Sequence, residues 1–272
     1  GREVVVTEDH SLFSYDNGIF PIEAKDLKEG SNIVIPSKLP VGYEDVSHIN
    51  LIDYLPNIRV FAPEYIKQSV EVLGYERASE IIGVKSISDY YSNFKRSLPS
   101  SLKADKFKLL MEEAKIKYDL EKIKVKFLKK SKSYCAKFKI TNEFLRLLGY
   151  YLSEGSINQS GRNSGIALYS QDKKIIRDME KCIDAMGCKA RKRTTHGFGS
   201  ATELSFAHKV LFEFLLEHCG KGSPNKKIPD FIFGLSKERI GEFLYALYTG
   251  DGGIRKECIN YWWKKLWLCY CC

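Results

Sequence analysis

Apolar and polar positions change period along the chain. The first forty residues alternate in short stretches. Residues 3–7 (Glu3-Val4-Val5-Val6-Thr7) predict a strand, Asn17-Gly18 predicts a hairpin turn, and residues 32–36 predict another strand. Between the last two, residues 23–30 read as a brief helical turn ended by Gly30. A β piece this small buries little and is expected to need further strands. From about residue 45 to 130 the period becomes helical, with helices predicted over 64–73, 75–82, 88–96, 106–115 and 119–130. Ala78, Ile82, Gly83 and Val84, ahead of a helix rich in Tyr, Ser, Asn, Lys and Arg, suggest a helix-turn-helix. The same pattern also reads as a small helical bundle with a solvated basic face.

From about residue 134 the pattern is mixed. Thr141 can cap a helix over 142–153 with Glu143 in its first turn. A strand over 166–169 follows, then a helix from Asp172 to Met186 that Gly187 stops. Strands over 189–194 and 202–206 flank Gly197-Phe198-Gly199, and a helix over 208–218 ends at Gly220. The order is helix, two strands, helix, two strands, helix. After a linker at 221–227 comes a second capped helix, 236–250.

The chain has 272 residues, 44% of them hydrophobic, which excludes wholesale disorder. Lys and Arg number 43 against 34 Asp and Glu, a net charge of +9 that favours a polyanionic partner, most often nucleic acid. No stretch approaches the roughly 20 apolar residues that span a bilayer, and the N-terminus lacks signal-peptide architecture. The 8 cysteines include no pair of Cys-x-x-Cys motifs at zinc-finger spacing, so reduced thiols in a cytoplasmic protein are expected.

One internal repeat changes the picture. Leu147-Leu148-Gly149-Tyr150-Tyr151-Leu152-Ser153-Glu154-Gly155 aligns without gaps on Leu244-Tyr245-Ala246-Leu247-Tyr248-Thr249-Gly250-Asp251-Gly252. Both copies are helical and both end in acid-Gly. Small residues four apart, Gly149/Ser153 and Ala246/Gly250, share a helix face on which two backbones can approach closely. Packed face to face, the helices would bring Glu154 and Asp251 together at their C-terminal ends. A carboxylate at a helix C-terminus is disfavoured by roughly 0.3–1 kcal/mol, and two side by side repel. A divalent cation removes both problems. Hard oxygen ligands with open water positions suit Mg²⁺, and such sites support in-line phosphodiester hydrolysis.

These paired segments resemble the motifs of LAGLIDADG (DOD-type, dodecapeptide) homing endonucleases. The resemblance implies two αββαββα halves with the motif helices at their interface, and sheets that form a saddle on double-stranded DNA. It assigns Glu154 and Asp251 as the catalytic, Mg²⁺-holding acids. Lys226-Lys227-Ile228-Pro229 resembles the block upstream of the second motif in intein-borne members, which implies that Lys226 positions or activates water near the scissile phosphate. Thr7-Glu8-Asp9-His10, with the following hairpin and Ile33-Val34-Ile35-Pro36, resembles the Thr-x-x-His block of inteins. There Thr7 and His10 would polarise the upstream splice junction, with a host protein (extein) as partner. Lys189, Arg191, Lys192 and Arg193 on the first sheet are the expected DNA-binding residues.

The expected fold is therefore α+β. A β-rich, partial intein (Hint-like) segment spans 1–40, a helical insert able to add DNA contacts spans 41–133, and a LAGLIDADG domain spans 134–272. That domain comprises one αββαββα half and the first helix of a second. The sequence departs from the family at both ends. Gly1 stands six residues before Thr7 without a splice nucleophile, and no His-Asn closes the chain. All 3 Trp and four of the 8 Cys lie from Cys258 onward, a shift resembling a frameshifted end. As given, the sequence is expected neither to splice nor to cut. The alternatives are a non-catalytic DNA-binding protein using the helix-turn-helix and the basic sheet, and a degenerate remnant.

Overall fold

The computed structural model describes residues 6–34, 46–84, 89, 94–127, 132–160, 163–196 and 200–251. The chain divides into two compact units, Gly1–Gly42 and Tyr43–Cys272. In the first, β1 (Ser11–Tyr15) and β2 (Ile19–Glu23) form an antiparallel hairpin in which Tyr15 pairs with Ile19. Asn17 takes the left-handed conformation (φ 55°) that this turn requires. A 3-10 turn, Ala24–Asp26, follows. Of the expected strand over 32–36, Ile33 forms a single bridge to Ser14, and residues 35 and 36 lie outside the described residues. The expected strand over 3–7 also falls mostly outside them. Ser14 is the one buried residue among those described in this unit.

The second unit opens with β3 (His48–Asn50), α1 (Leu51–Tyr54), β4 (Arg59–Phe61), α2 (Pro63–Leu73) and α3 (Tyr75–Ile82). It continues with β5 (Ser101–Lys103), α4 (Ala104–Glu113), β6 (Lys124–Lys126), β7 (Tyr134–Cys135) and β8 (Lys137–Lys139). The expected insert is therefore not purely helical: an antiparallel sheet of order β5-β4-β6-β7 packs against α4. The helix expected over 119–130 is corrected to a turn and a strand. Ile123 and Val125 are buried between exposed Lys122 and Lys124, the two-residue period of a half-buried strand. The last helix of the proposed helix-turn-helix, 88–96, lies largely outside the described residues.

The αββαββα order follows: α5 (Asn142–Glu154), β9 (Gly155–Ser160), β10 (Asn163–Ser170), α6 (Lys173–Ala185), β11 (Arg191–His196), β12 (Ser200–Phe206) and α7 (Lys209–Phe214). A π-helical turn, Leu215–Cys219, extends α7. After 3-10 turns at Ser223–Asn225 and Asp230–Gly234 comes α8 (Lys237–Asp251). The sheet, of order β11-β12-β10-β9, is antiparallel throughout. Ile157, Ile166, Leu168, Leu204 and Phe206 point from it to the helices and are buried.

A single core joins the two parts of this unit. Phe144 of α5 packs on Phe138, Phe214 and Phe231 at 5.0, 5.8 and 6.4 Å between ring centroids, and Tyr54 of α1 stacks on Phe214 at 6.1 Å. Among the described residues, no helix is long and apolar enough to cross a membrane.

Candidate active site

The α5 helix begins where Thr141 accepts a hydrogen bond from the Phe144 amide at 3.2 Å. It ends at Glu154, and Gly155 starts β9 without an intervening loop. Glu154 is thus an exposed acid at the negative end of a thirteen-residue helix.

The α8 helix lies against α5 in the register of the sequence repeat. A Cβ built on Gly149 would fall 2.8 Å from the Cβ of Ala246, its repeat equivalent, and 2.5 Å from the Phe243 carbonyl oxygen. A Cβ on Gly250 would fall 1.9 Å from Oγ of Ser153, again its equivalent, and 3.4 Å from Cγ of Glu154. Equivalent residues meeting at both levels make the helices parallel and related by an approximate two-fold axis. Their C-terminal ends therefore lie side by side, with Asp251 the last residue of α8, directly after Gly250.

Lys226 reaches the same place. Its ammonium donates to the carbonyl oxygens of Leu152 (3.1 Å) and Gly155 (2.9 Å) and stands 5.1 Å from the centroid of the Tyr151 ring. A cation on the last carbonyls of α5 offsets the partial negative charge there. The linker that carries it is anchored at Gly220, whose φ is +79° and whose carbonyl accepts from the Tyr151 hydroxyl at 2.5 Å. A Cβ at Gly220 would lie 2.0 Å from the Asn225 carbonyl oxygen, so glycine alone permits this close turn.

The sheet face opposite the helices carries the proposed DNA-binding side chains unevenly. Register places Arg191 and Arg193 on the outward face with Glu203, Tyr169 and Ser156. Arg193 pairs with Glu203 at 2.8 Å. Lys192 lies on the helix side of the sheet and pairs with Glu180 of α6 at 3.2 Å. Lys189 is exposed in the segment before β11. Thr7 and His10 belong to the other compact unit, where the His10 amide donates to the Thr7 carbonyl at 3.1 Å.

The sequence pattern did not single out Arg146. From the middle of α5 it bridges Glu242 of α8 at 2.7 Å and Asp178 of α6 at 3.2 Å, and Tyr150 donates to the same Asp178 at 2.8 Å. An arginine flanked by leucines in an apolar helix was the available signal. The buried thiols do not compete for chemistry. Burial pushes Cys182 up to about 11 and Cys219 up to about 12, so both are protonated near neutrality.

Among the described residues, no three His, Cys, Asp or Glu side chains gather as a closed metal cage. What the end of α5 offers is hard oxygen, the exposed Glu154 carboxylate, and the sequence puts a second acid, Asp251, at the end of α8. That donor set fits a cation that keeps several waters, as Mg²⁺ does, and does not fit a four-ligand zinc site.

Residues 141–220 match the LAGLIDADG-like domain family. The chain is 30% identical to "Uncharacterized protein MJ1054" of Methanocaldococcus jannaschii, over 93% of this chain and 28% of that protein. It is 25% identical to the DNA polymerase II large subunit of Thermococcus kodakarensis, over 94% of this chain and 14% of that protein. It is 24% identical to the DNA-directed RNA polymerase subunit Rpo1C of M. jannaschii, over 94% of this chain and 23% of that subunit. The chain thus spans less than a third of the length of each of these relatives. The structure of I-DmoI in complex with DNA and Mn aligns at a TM-score of 0.28 and 17% identity, over 40% of this chain and 61% of that one.

Proposed function

We propose that this chain belongs to an intein and carries a DOD-type homing endonuclease that hydrolyses phosphodiester bonds of double-stranded DNA. The observation that carries the reading is the parallel α5–α8 pair, whose C-terminal ends lie side by side where the β9–β12 sheet begins, each ending in sequence on an acid. Glu154 and Asp251 would hold Mg²⁺, which when bound supplies an activated water and stabilises the leaving oxygen. Lys226 sits on the α5 carbonyls within reach of a phosphate drawn to that end. Arg191 and Arg193 would contact the DNA backbone from the open sheet face, with Lys189 in the segment before β11, while Lys192, turned to the helix side, would not reach it.

The intein part of the reading rests on two supports. One stretch of sequence recurs at 24–30% identity inside proteins as unlike as a DNA polymerase subunit and an RNA polymerase subunit, as an inserted element would. The first unit keeps a Thr7–His10 turn ahead of a hairpin, as a splicing block needs, with the host protein as its partner. Thr7 and His10 would polarise the upstream junction there.

The test is selection of bound duplexes from a randomised pool with the intact protein, followed by incubation with Mg²⁺. Where the second endonuclease half is complete, strand breaks are expected with the unsubstituted protein and none with Glu154→Gln or Asp251→Asn, while all three keep binding. Cutting by Glu154→Gln at the original rate would overturn the metal assignment. Binding with no Mg²⁺-dependent break would instead establish a non-catalytic DNA-binding protein.

A further inference from the structure

The sheet β5-β4-β6-β7 has an inner face, where Val60, Leu102 and Val125 are buried, and an outer one. On the outer face Arg59 pairs directly with Lys103 on one side and with Lys126 on the other. In the next row Phe61 stands between Ser101 and Lys124. None of the residues that β4, β5 and β6 place on this face is acidic.

That arrangement is electrostatically costly for the fold, because like charges directly opposite across a sheet repel. Elsewhere on the same unit lysines are compensated: Lys108 by Asp53 at 2.8 Å, Lys137 by Glu121 at 2.8 Å and Lys192 by Glu180 at 3.2 Å. Here the fold holds the cations in place by other means. The Arg59 guanidinium donates to the Ser101 carbonyl (2.8 Å) and hydroxyl (3.2 Å), and the Lys126 ammonium lies 4.9 Å from the centroid of the Phe61 ring. Both contacts fix a positive charge without neutralising it. With strands about 4.8 Å apart, the row Lys103–Arg59–Lys126 spans about 10 Å. A row of cations that meets no carboxylate in a salt bridge among the described residues complements a regularly spaced polyanion.

We propose that this face is a second double-stranded DNA contact surface, separate from the β9–β12 sheet. Lys103, Lys124, Lys126 and Arg59 would engage the phosphodiester backbone without reading bases. The proposal takes duplex DNA as the polyanion from the functional reading above and needs nothing from the metal assignment.

The experiment measures the salt dependence of affinity of the intact protein for a labelled random-sequence duplex. The triple variant Lys103→Ala/Lys124→Ala/Lys126→Ala is compared with Arg191→Ala/Arg193→Ala. The triple variant should weaken binding and flatten the slope of log affinity on log salt by up to about 2.7, about 0.9 for each lost phosphate contact. A second measurement needs no variant. Bound duplex should protect Lys103, Lys124 and Lys126 from acetylation several-fold, as read by mass spectrometry, and leave Lys67 on α2 reactive. An unchanged slope in a folded triple variant, or equal labelling of these lysines with and without DNA, would overturn the proposal. If only Arg191→Ala/Arg193→Ala flattens the slope, the nuclease-sheet reading survives and this one fails; the converse result separates them the other way.

Discussion

A methyl group at Gly149 would meet backbone atoms, the Phe243 carbonyl oxygen at 2.5 Å and the Leu247 nitrogen at 2.8 Å, which cannot rotate away. The helices would have to separate. Gly149→Ala should therefore cost about 1–3 kcal/mol, the range for overpacking a tight contact, even though alanine is the better helix former. The check is a chemical denaturation curve, and equal or greater stability of the variant would show that α5 and α8 are not held in this register. His208 offers a pH test. Its Nδ1 accepts from the Leu211 amide at 3.1 Å and caps α7, and burial, aided by Lys132, lowers its affinity for a proton. A histidine held below its usual value of about 6.5 leaves the unfolded chain binding more protons as pH falls. Its share of stability is full above that value and declines below it. Replacing it with asparagine, which caps without titrating, should flatten the stability–pH slope below about 6.5. An unaltered slope would assign that pH dependence to other groups.

Arg146 ties three helices by single contacts to Glu242 on α8 and Asp178 on α6, with side-chain exposures of only 19, 33 and 25%. Arg146→Leu should strand two partly buried carboxylates and cost about 1–3 kcal/mol, less than a fully buried pair because water reaches these groups. Amide exchange in α8 should quicken while the β9–β12 sheet stays protected; uniform protection would mean that packing alone seats α8. Pattern reading located such elements unevenly. Long amphipathic helices with caps were legible: α5 was expected over 142–153 and runs Asn142–Glu154, and α6 is capped by Asp172 as expected. The acid-Gly repeat was legible because two copies share one spacing. The strands of the middle region were not, since His48–Asn50, Arg59–Phe61 and Lys124–Lys126 are three residues long and show barely one period of alternation. The edge strand β9, Gly-Ser-Ile-Asn-Gln-Ser, has among its described residues one buried side chain, Ile157, to betray it. Face assignment within β11 also needed register: consecutive cations from Arg191 to Arg193 look alike in sequence and point to opposite sides.

The family match covers residues 141–220, which invites treating that stretch as a free-standing module. The packing argues otherwise. The Leu51 amide donates to the Ala136 carbonyl and the Ile140 amide to the Ser47 carbonyl, so the entry to α5 is built on β3. Arg239 of α8 donates to the carbonyls of Val46 (2.8 Å) and Ile140 (2.7 Å), and His218 lies 2.7 Å from the Tyr54 carbonyl within a ring cluster of Tyr54 and Phe214. Removing residues 46–140 would expose Phe214 and deprive α8 of both carbonyls that anchor its first turn. Each large apolar side chain returned to water costs about 1.5–3 kcal/mol, and two or three such losses approach the whole stability of a typical domain, about 5–15 kcal/mol. By contrast the hairpin unit ending at Gly42 has its own contacts and, among its described residues, almost no buried core. A fragment starting at Tyr43 should therefore melt cooperatively at nearly the temperature of the intact chain. One starting at Thr141 should show no cooperative transition and should bind a hydrophobic dye. Cooperative melting of the shorter fragment would show that the LAGLIDADG-like stretch is autonomous and that the middle region merely decorates it.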